Sequence, residues 1–135
     1  MPVPLAAQAE IIATTIQDKP WGHEVIFATG ENGYVGKLIT VNASHALSMQ
    51  YHRHKDETIS IISGELHLEH GPDADSLGSL VLRAGDTIHI PASVVHRITA
   101  RTDVVFAEAS TAAPGWRDDV VRLEDRYGRA GTHAP

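Results

Sequence analysis

From residue 24 onward, apolar and polar side chains alternate over short stretches that are set apart by turn-forming residues. Successive side chains of a strand point to opposite faces, so this period-two pattern predicts strands over residues 24–28, 34–41, 46–54, 58–63, 65–69, 79–82, 87–90, 96–100 and 103–109. Gly30-Glu31-Asn32-Gly33, Ser63-Gly64-Glu65, Gly71-Pro72-Asp73 and Arg83-Ala84-Gly85-Asp86 supply the turns. Many short strands with regular turns indicate an all-β sandwich or barrel. The preceding lead-in, residues 1–18, reads two ways. Leu5, Ala9, Ile12 and Ile16 are spaced like a weak helical stripe, whereas Ile11, Ile12, Thr14, Thr15 and Ile16 suit a strand.

Parity assigns the faces. In 46–54 one face carries Ser48, Gln50, His52 and His54, and the other carries Leu47, Met49 and Tyr51. The apolar reverse face needs cover from a second layer or another subunit, which with the lead-in suggests a homodimer formed through sheet edges or faces. Val35, Lys37, Ile39 and Val41 share a face of the neighbouring strand. Lys37 is there either a snorkelling surface side chain or a cation held inside a pocket, where it would hook a phosphate or carboxylate.

Composition narrows the class. A chain of 135 residues, 42 % of them hydrophobic, forms one domain with a substantial core. The absence of cysteine excludes disulfide and thiol chemistry and fits a reducing compartment. No apolar run is long enough to span a membrane, and residues 1–18 lack the pattern of a secretory signal, so a cytoplasmic protein is expected. A net charge of -6 argues against nucleic-acid binding. An anionic ligand would have to be held by a few local cations.

The chemistry concentrates in four residues. His52-Arg53-His54 has strand spacing that sends both imidazoles to one face, Glu57 follows with a carboxylate, and His96 must arrive from elsewhere in the fold. Such a set can hold one divalent transition metal, and it leaves an octahedral ion open positions for water or substrate. That suits manganese, iron, nickel or zinc better than a closed structural zinc site. His23, His45, His67, His70 and His133 are expected to serve other purposes.

The punctuation around these ligands resembles the two motifs of the cupin superfamily. Glu57 precedes Gly64, and Gly85 precedes Pro91 and His96, at the motif spacings. Ala46 and Ser93 stand where the motifs have glycines, and Ala100 where the second ends in asparagine. The resemblance implies a jelly-roll β-barrel. It narrows further at Lys19-Pro20-Trp21-Gly22, at Val35-Gly36-Lys37-Leu38-Ile39, at Leu47-Ser48-Met49-Gln50-Tyr51-His52-Arg53-His54-Lys55-Asp56-Glu57 and at the stretch 118–129, Asp-Asp-Val-Val-Arg-Leu-Glu-Asp-Arg-Tyr-Gly-Arg. These segments are similar to the cupin domain of type II mannose-6-phosphate isomerases, over residues 19–129, the C-terminal part closing the barrel and 130–135 forming a tail.

What the resemblance implies is metal-dependent interconversion of mannose 6-phosphate and fructose 6-phosphate, a proton transfer between C1 and C2 through an enediol. The small-molecule partner is then a sugar phosphate. Gln50 is expected to contact a hydroxyl or the metal, and Lys37, Arg129, Arg122 and Arg97 are the candidates for phosphate. The same arginines alternate with acids and could instead form a solvated, self-paired tail. Lys37, His89 and Glu108 are the candidate bases. Trp21, Trp116 and Tyr127 are aromatic platforms a sugar could stack on. The guanylyltransferase domain often fused to this cupin has no counterpart in 135 residues. A metal-dependent oxygenase and a non-catalytic sugar-binding module are the competing classes.

Overall fold

The computed structural model describes residues 7–113 and 115–133, and in it the alternation resolves into two antiparallel sheets. In chain order the strands are β1 Thr15–Lys19, β2 Gly22–Thr29, β3 Tyr34–Val41, β4 Met49–His52, β5 Glu57–Ser63, β6 Glu65–Gly71, β7 Gly78–Arg83, β8 Thr87–Ile90, β9 Val95–Ala100, β10 Val104–Thr111 and β11 Val120–Glu124. One sheet runs β1-β2-β3-β10-β5-β8, the other β11-β4-β9-β6-β7. Ile39, Ile59 and Phe106 from the first meet Leu66, Leu68 and Ile98 from the second in one core, as a jelly-roll barrel requires. Among the described residues, no helix is long and apolar enough to cross a membrane.

The lead-in ends as a strand. Thr15–Lys19 pairs with β2 in the register Thr15↔Ile26 to Lys19↔Gly22, with Pro20-Trp21 turning the hairpin. Trp21 then enters the core, and one side of it lines the cleft described below. The long strand expected over 46–54 is interrupted: only Met49–His52 forms a strand, and Ala46 contributes an isolated bridge to Thr99. The apolar face expected from Leu47, Met49 and Tyr51 is therefore broken up, with Tyr51 left half-buried on it. Met49 is 3 % exposed, and Leu47, which precedes the strand and escapes its parity, packs against the core.

Two turns show why the motif punctuation matters. Gly64 sits at φ 82, and a Cβ there would lie 2.1 Å from the Asp103 carbonyl oxygen, so neither the dihedral nor the space admits another residue. Ser93, standing at a motif glycine, is held at φ 73 with its N–H donating to the His52 carbonyl at 2.7 Å. That bond ties the turn before β9 to the end of β4.

A candidate metal and anion site

Three of the four expected ligands converge. His52 at the end of β4, Glu57 at the start of β5 and His96 on β9 are all buried, with one ligand atom of each lying within 4.8 Å of the others. Glu57 Oε1 is 3.2 Å from His96 Nε2 and 3.8 Å from His52 Nε2. His96 Nδ1 lies 2.9 Å from the Val94 carbonyl, so Nδ1–H donates there and Nε2 faces Glu57; burial would lower the His96 pKa, but the Glu57 carboxylate raises it, so Nε2 donates a proton to Glu57 that a bound ion would displace. Burial drives His52 down to about 4, with the Glu57 carboxylate opposing it only in part, so this ring is neutral near pH 7. Its Nδ1 is buried without a hydrogen-bond partner. Burial works against ionisation of Glu57, yet Lys55 and His96 hold it well below the usual carboxylate range. A neutral imidazole, a second imidazole that can release its Nε2 proton to make room for an ion, and one ionised carboxylate fit a divalent transition ion.

His54 is not brought into this group. Strand β4 ends at His52, so period-two alternation no longer governs residue 54. The His54 N–H donates to Asp119 Oδ2 at 3.0 Å, and its side chain is exposed.

Beside the ligands lies a chain of buried ion pairs. Lys55 Nζ is 3.0 Å from Glu108 and 3.5 Å from Glu57. Burial alone would lower the Lys55 pKa, but those two carboxylates raise it, so the ammonium is fixed. Glu108 is pushed up, first by burial and then by Glu57. Ser110 donates to Glu108 at 3.3 Å, and Lys37 donates to Glu24 at 3.3 Å. Lys37 faces inward at 9 % exposure, which settles its two readings in favour of the pocket.

Lys55, Glu108, Lys37 and Glu24 line a single cleft together with His52, Gln50 and Ser48. Among its described lining residues are six cations, Lys19, Lys37, Lys55, Arg117, Arg122 and Arg129, against Glu24 and Glu108. A chain of net charge -6 thus gathers a positive interior, which suits an anion. Strand β11 delivers Arg122 by pairing with β4, Arg122 opposite Gln50 and Val120 opposite His52. Arg129 is held by Asp125, which accepts from Arg129 Nε at 3.1 Å, Nη2 at 2.9 Å and N–H at 2.8 Å. The arginines of the closing segment are therefore part of the cleft, although Arg129 is also self-paired as the charge alternation suggested. Trp116 joins the lining beneath Lys37, whose Nζ lies 5.5 Å from the ring centroid.

Three expected residues are elsewhere. Arg97 projects from the other face of β9, bound to Glu69 at 2.9 Å and to Glu124 at 3.2 Å. It directly follows His96, and adjacent strand positions face opposite ways. His89 is exposed and bonded to Asp56 at 2.7 Å, outside the cleft lining. Tyr127 packs against the core, its hydroxyl 2.6 Å from His45 Nδ1. Lys55, Glu24, Lys19 and Arg117 line the cleft without having been singled out in the sequence. Lys55 was the most legible of them, since it stands two residues from Glu57; the others become neighbours only when β1, β2 and the 116–118 turn are assembled.

Known proteins share this arrangement of chain. The family profile described as Mannose-6-phosphate isomerase C-terminal matches residues 7–125. Xanthan biosynthesis protein XanB of Xanthomonas campestris pv. campestris (strain B100) is 31 % identical over 113 residues, which cover 82 % of this chain and 23 % of XanB. Mannose-1-phosphate guanylyltransferase ManC of Salmonella typhimurium is also 31 % identical over 113 residues, covering 82 % of this chain and 22 % of ManC. The chain thus spans less than a quarter of the length of these relatives. Among solved structures, the capsular polysaccharide assembling protein CapF from Staphylococcus aureus superposes with a TM-score of 0.71 at 15 % identity, over 84 % of this chain and 35 % of CapF. An S161A mutant of Bacillus subtilis oxalate decarboxylase OxdC superposes with a TM-score of 0.67 at 19 % identity, over 81 % of this chain and 30 % of that protein. At these identities the likeness is one of cupin fold.

Proposed function

The chain belongs to the mannose-6-phosphate isomerase C-terminal family, and from that premise we propose that it is a cytoplasmic, metal-dependent sugar-phosphate isomerase of the mannose 6-phosphate/fructose 6-phosphate type. The observation that carries the reading is that the buried group His52, Glu57 and His96 adjoins the same cleft that gathers Lys37, Arg122 and Arg129. An aldose phosphate needs both: cations for its phosphate and a polar centre at its carbonyl end.

A single manganese, iron, nickel or zinc ion bound by His52, Glu57 and His96 would stabilise negative charge developing on the sugar oxygens. Arg129, Arg122 and Lys37 bind the phosphate, the arginine forks matching its oxygens. Gln50, whose side-chain oxygen accepts from Ser48, orients a hydroxyl near His52. Glu108 is our choice of base. It takes the proton from C2 of the aldose while O1 is protonated, giving the enediol. Returning that proton to C1 as the O2 proton leaves completes the ketose. Lys55, 3.0 Å away, keeps the charge of Glu108 balanced and its carboxylate oriented in either protonation state.

The test is conversion of mannose 6-phosphate by metal-loaded protein in heavy water, following both net fructose 6-phosphate and deuterium at C1 or C2. Glu108→Gln should lower turnover at least a hundredfold while metal content and phosphate binding persist. No conversion and no exchange across hexose and pentose phosphates would refute the isomerase. Binding without turnover would then mark a sugar-binding module.

A further inference from the structure

We propose that Lys19 is a nucleophilic amine that captures the carbonyl carbon of a phosphorylated aldehyde or ketone as an imine inside the cleft. This rests on the reading of the cleft as a phosphate site, and it adds a covalent step made by the chain's own side chains. The chain has three lysines, Lys19, Lys37 and Lys55, and all three line that one cleft. Its exposed cations are arginines such as Arg53, Arg83 and Arg101. An ammonium is strongly hydrated and is rarely buried unless it is paired or its chemistry is used.

Two of the three are committed. Lys55 Nζ lies 3.0 Å from Glu108 and 3.5 Å from Glu57, and Lys37 donates to Glu24 at 3.3 Å. Lys19 is held differently. Its side chain is 7 % exposed, yet its Nζ comes only to 4.0 Å from Glu24, beyond hydrogen-bond range. Glu24 therefore stands as one carboxylate between two ammoniums. Burial lowers the Lys19 pKa below its ordinary 10.5, Glu24 opposes this in part, and Lys37, Arg122 and Arg129 add to the lowering. A lysine desolvated beside other cations gives up its proton more readily, and the neutral amine is a nucleophile.

The neighbours of Lys19 complete the chemistry. Arg122 and Arg129 share the cleft with it, so a phosphate bound there brings the carbonyl of the same small molecule to the amine. The ammonium first gives its proton to water. Neutral Lys19 then attacks the carbonyl carbon, and the C–N bond forms as the carbonyl π pair moves to oxygen. That oxygen takes one proton from the nitrogen, relayed by Glu24, to give the carbinolamine. The hydroxyl leaves with the second nitrogen proton as water, and the nitrogen lone pair closes the C=N bond. Amine and carbonyl thus become imine and water, with nothing oxidised or reduced, and hydrolysis reverses the step.

The probe is pyridoxal phosphate, a phosphorylated aldehyde, incubated with the metal-loaded intact chain and reduced with borohydride to fix the imine. Peptide mass spectrometry should place a single phosphopyridoxyl group on Lys19. Inorganic phosphate should lower that labelling at least tenfold, and pyridoxal without its phosphate should label at least tenfold less. Lys19→Arg keeps the charge and should abolish the label while inorganic phosphate still binds, as read by calorimetry. The mapping on the unaltered chain stands whether or not the variant folds. A label on Lys37 or Lys55 instead, or equal labelling by pyridoxal, would overturn the proposal. Phosphate that binds while Lys19 stays unlabelled would overturn the nucleophile alone. Phosphate that neither binds nor protects would overturn the reading of the cleft together with it.

Discussion

His96 shows how one hydrogen bond prepares a ligand. With Nδ1–H committed to the Val94 carbonyl, the ring can turn only its Nε2 to Glu57, 3.2 Å away. His52 is prepared differently, because burial holds it neutral, whereas Glu57 raises the His96 pKa. His54 has neither device, and its exposed ring stands past the end of β4. The consequence is a sharp asymmetry between two histidines a single residue apart. His52→Ala should remove most of the bound metal, measured as metal per chain by elemental mass spectrometry, whereas His54→Ala should leave it near the wild-type ratio. Equal loss in both variants would mean that His54 folds in as a fourth ligand when the ion binds. The sequence showed the histidine pair plainly; whether its second member reaches the ion depends on where the strand stops, which no spacing rule states.

At the level of elements, the closing segment and the turn before β9 hold the site in shape. Asp125 anchors the segment, accepting from the N–H groups of Tyr127 and Arg129 and from the Arg129 guanidinium. Burial would raise the Asp125 pKa, but these bonds, above all those from Arg129, lower it below its ordinary 3.8. A carboxylate whose folded pKa is depressed contributes stability that is complete above its unfolded pKa and is lost as pH falls through the folded one. Amide protection along 120–129 should therefore hold through pH 5 and decline below about pH 4, and Asp125→Asn should flatten that decline. Unchanged acid sensitivity in Asp125→Asn would shift the anchor to another carboxylate, Asp119 being next through its bonds to the His54 and Lys55 N–H groups. The turn makes a second prediction. Ser93 sits at φ 73, a left-handed conformation that costs an L-residue roughly 1–2 kcal/mol. Part of the relief in Ser93→Gly is returned as unfolded-state entropy, so the variant should gain about 0.5–1 kcal/mol in urea denaturation at neutral pH. A loss of stability would mean that the serine side chain does more than tolerate the turn.

For the whole molecule, the decisive property is the separation of charge: -6 overall, but six cations against two carboxylates along the described lining of one cleft. Anion binding should be local and only partly screened, because cations held inside a cleft feel salt less than surface charges do. Calorimetric titration with mannose 6-phosphate should show Arg129→Ala weakening affinity by about 1–3 kcal/mol, the range for losing a hydrogen bond to a charged group, with metal content unchanged. An equal loss for an uncharged mannose would place Arg129 away from the phosphate. The all-β class, most strand positions, the motif turns and three converging ligands were determined by the sequence itself, because alternation, glycine at left-handed turns and imidazole spacing are local rules. Its similarity over 118–129 also marked the closing segment, although not that Val120–Glu124 would be a strand, since Arg122 and its acidic neighbours disguise the alternation. Only the tertiary structure decided which face of each strand became the interior. It turned Lys37 inward, sent Arg97 and His89 outward, ended β4 before His54, and brought Lys55 and Glu24 to the cleft. Those outcomes depend on register between strands far apart in the chain, and one residue of register moves a side chain from the cleft to solvent.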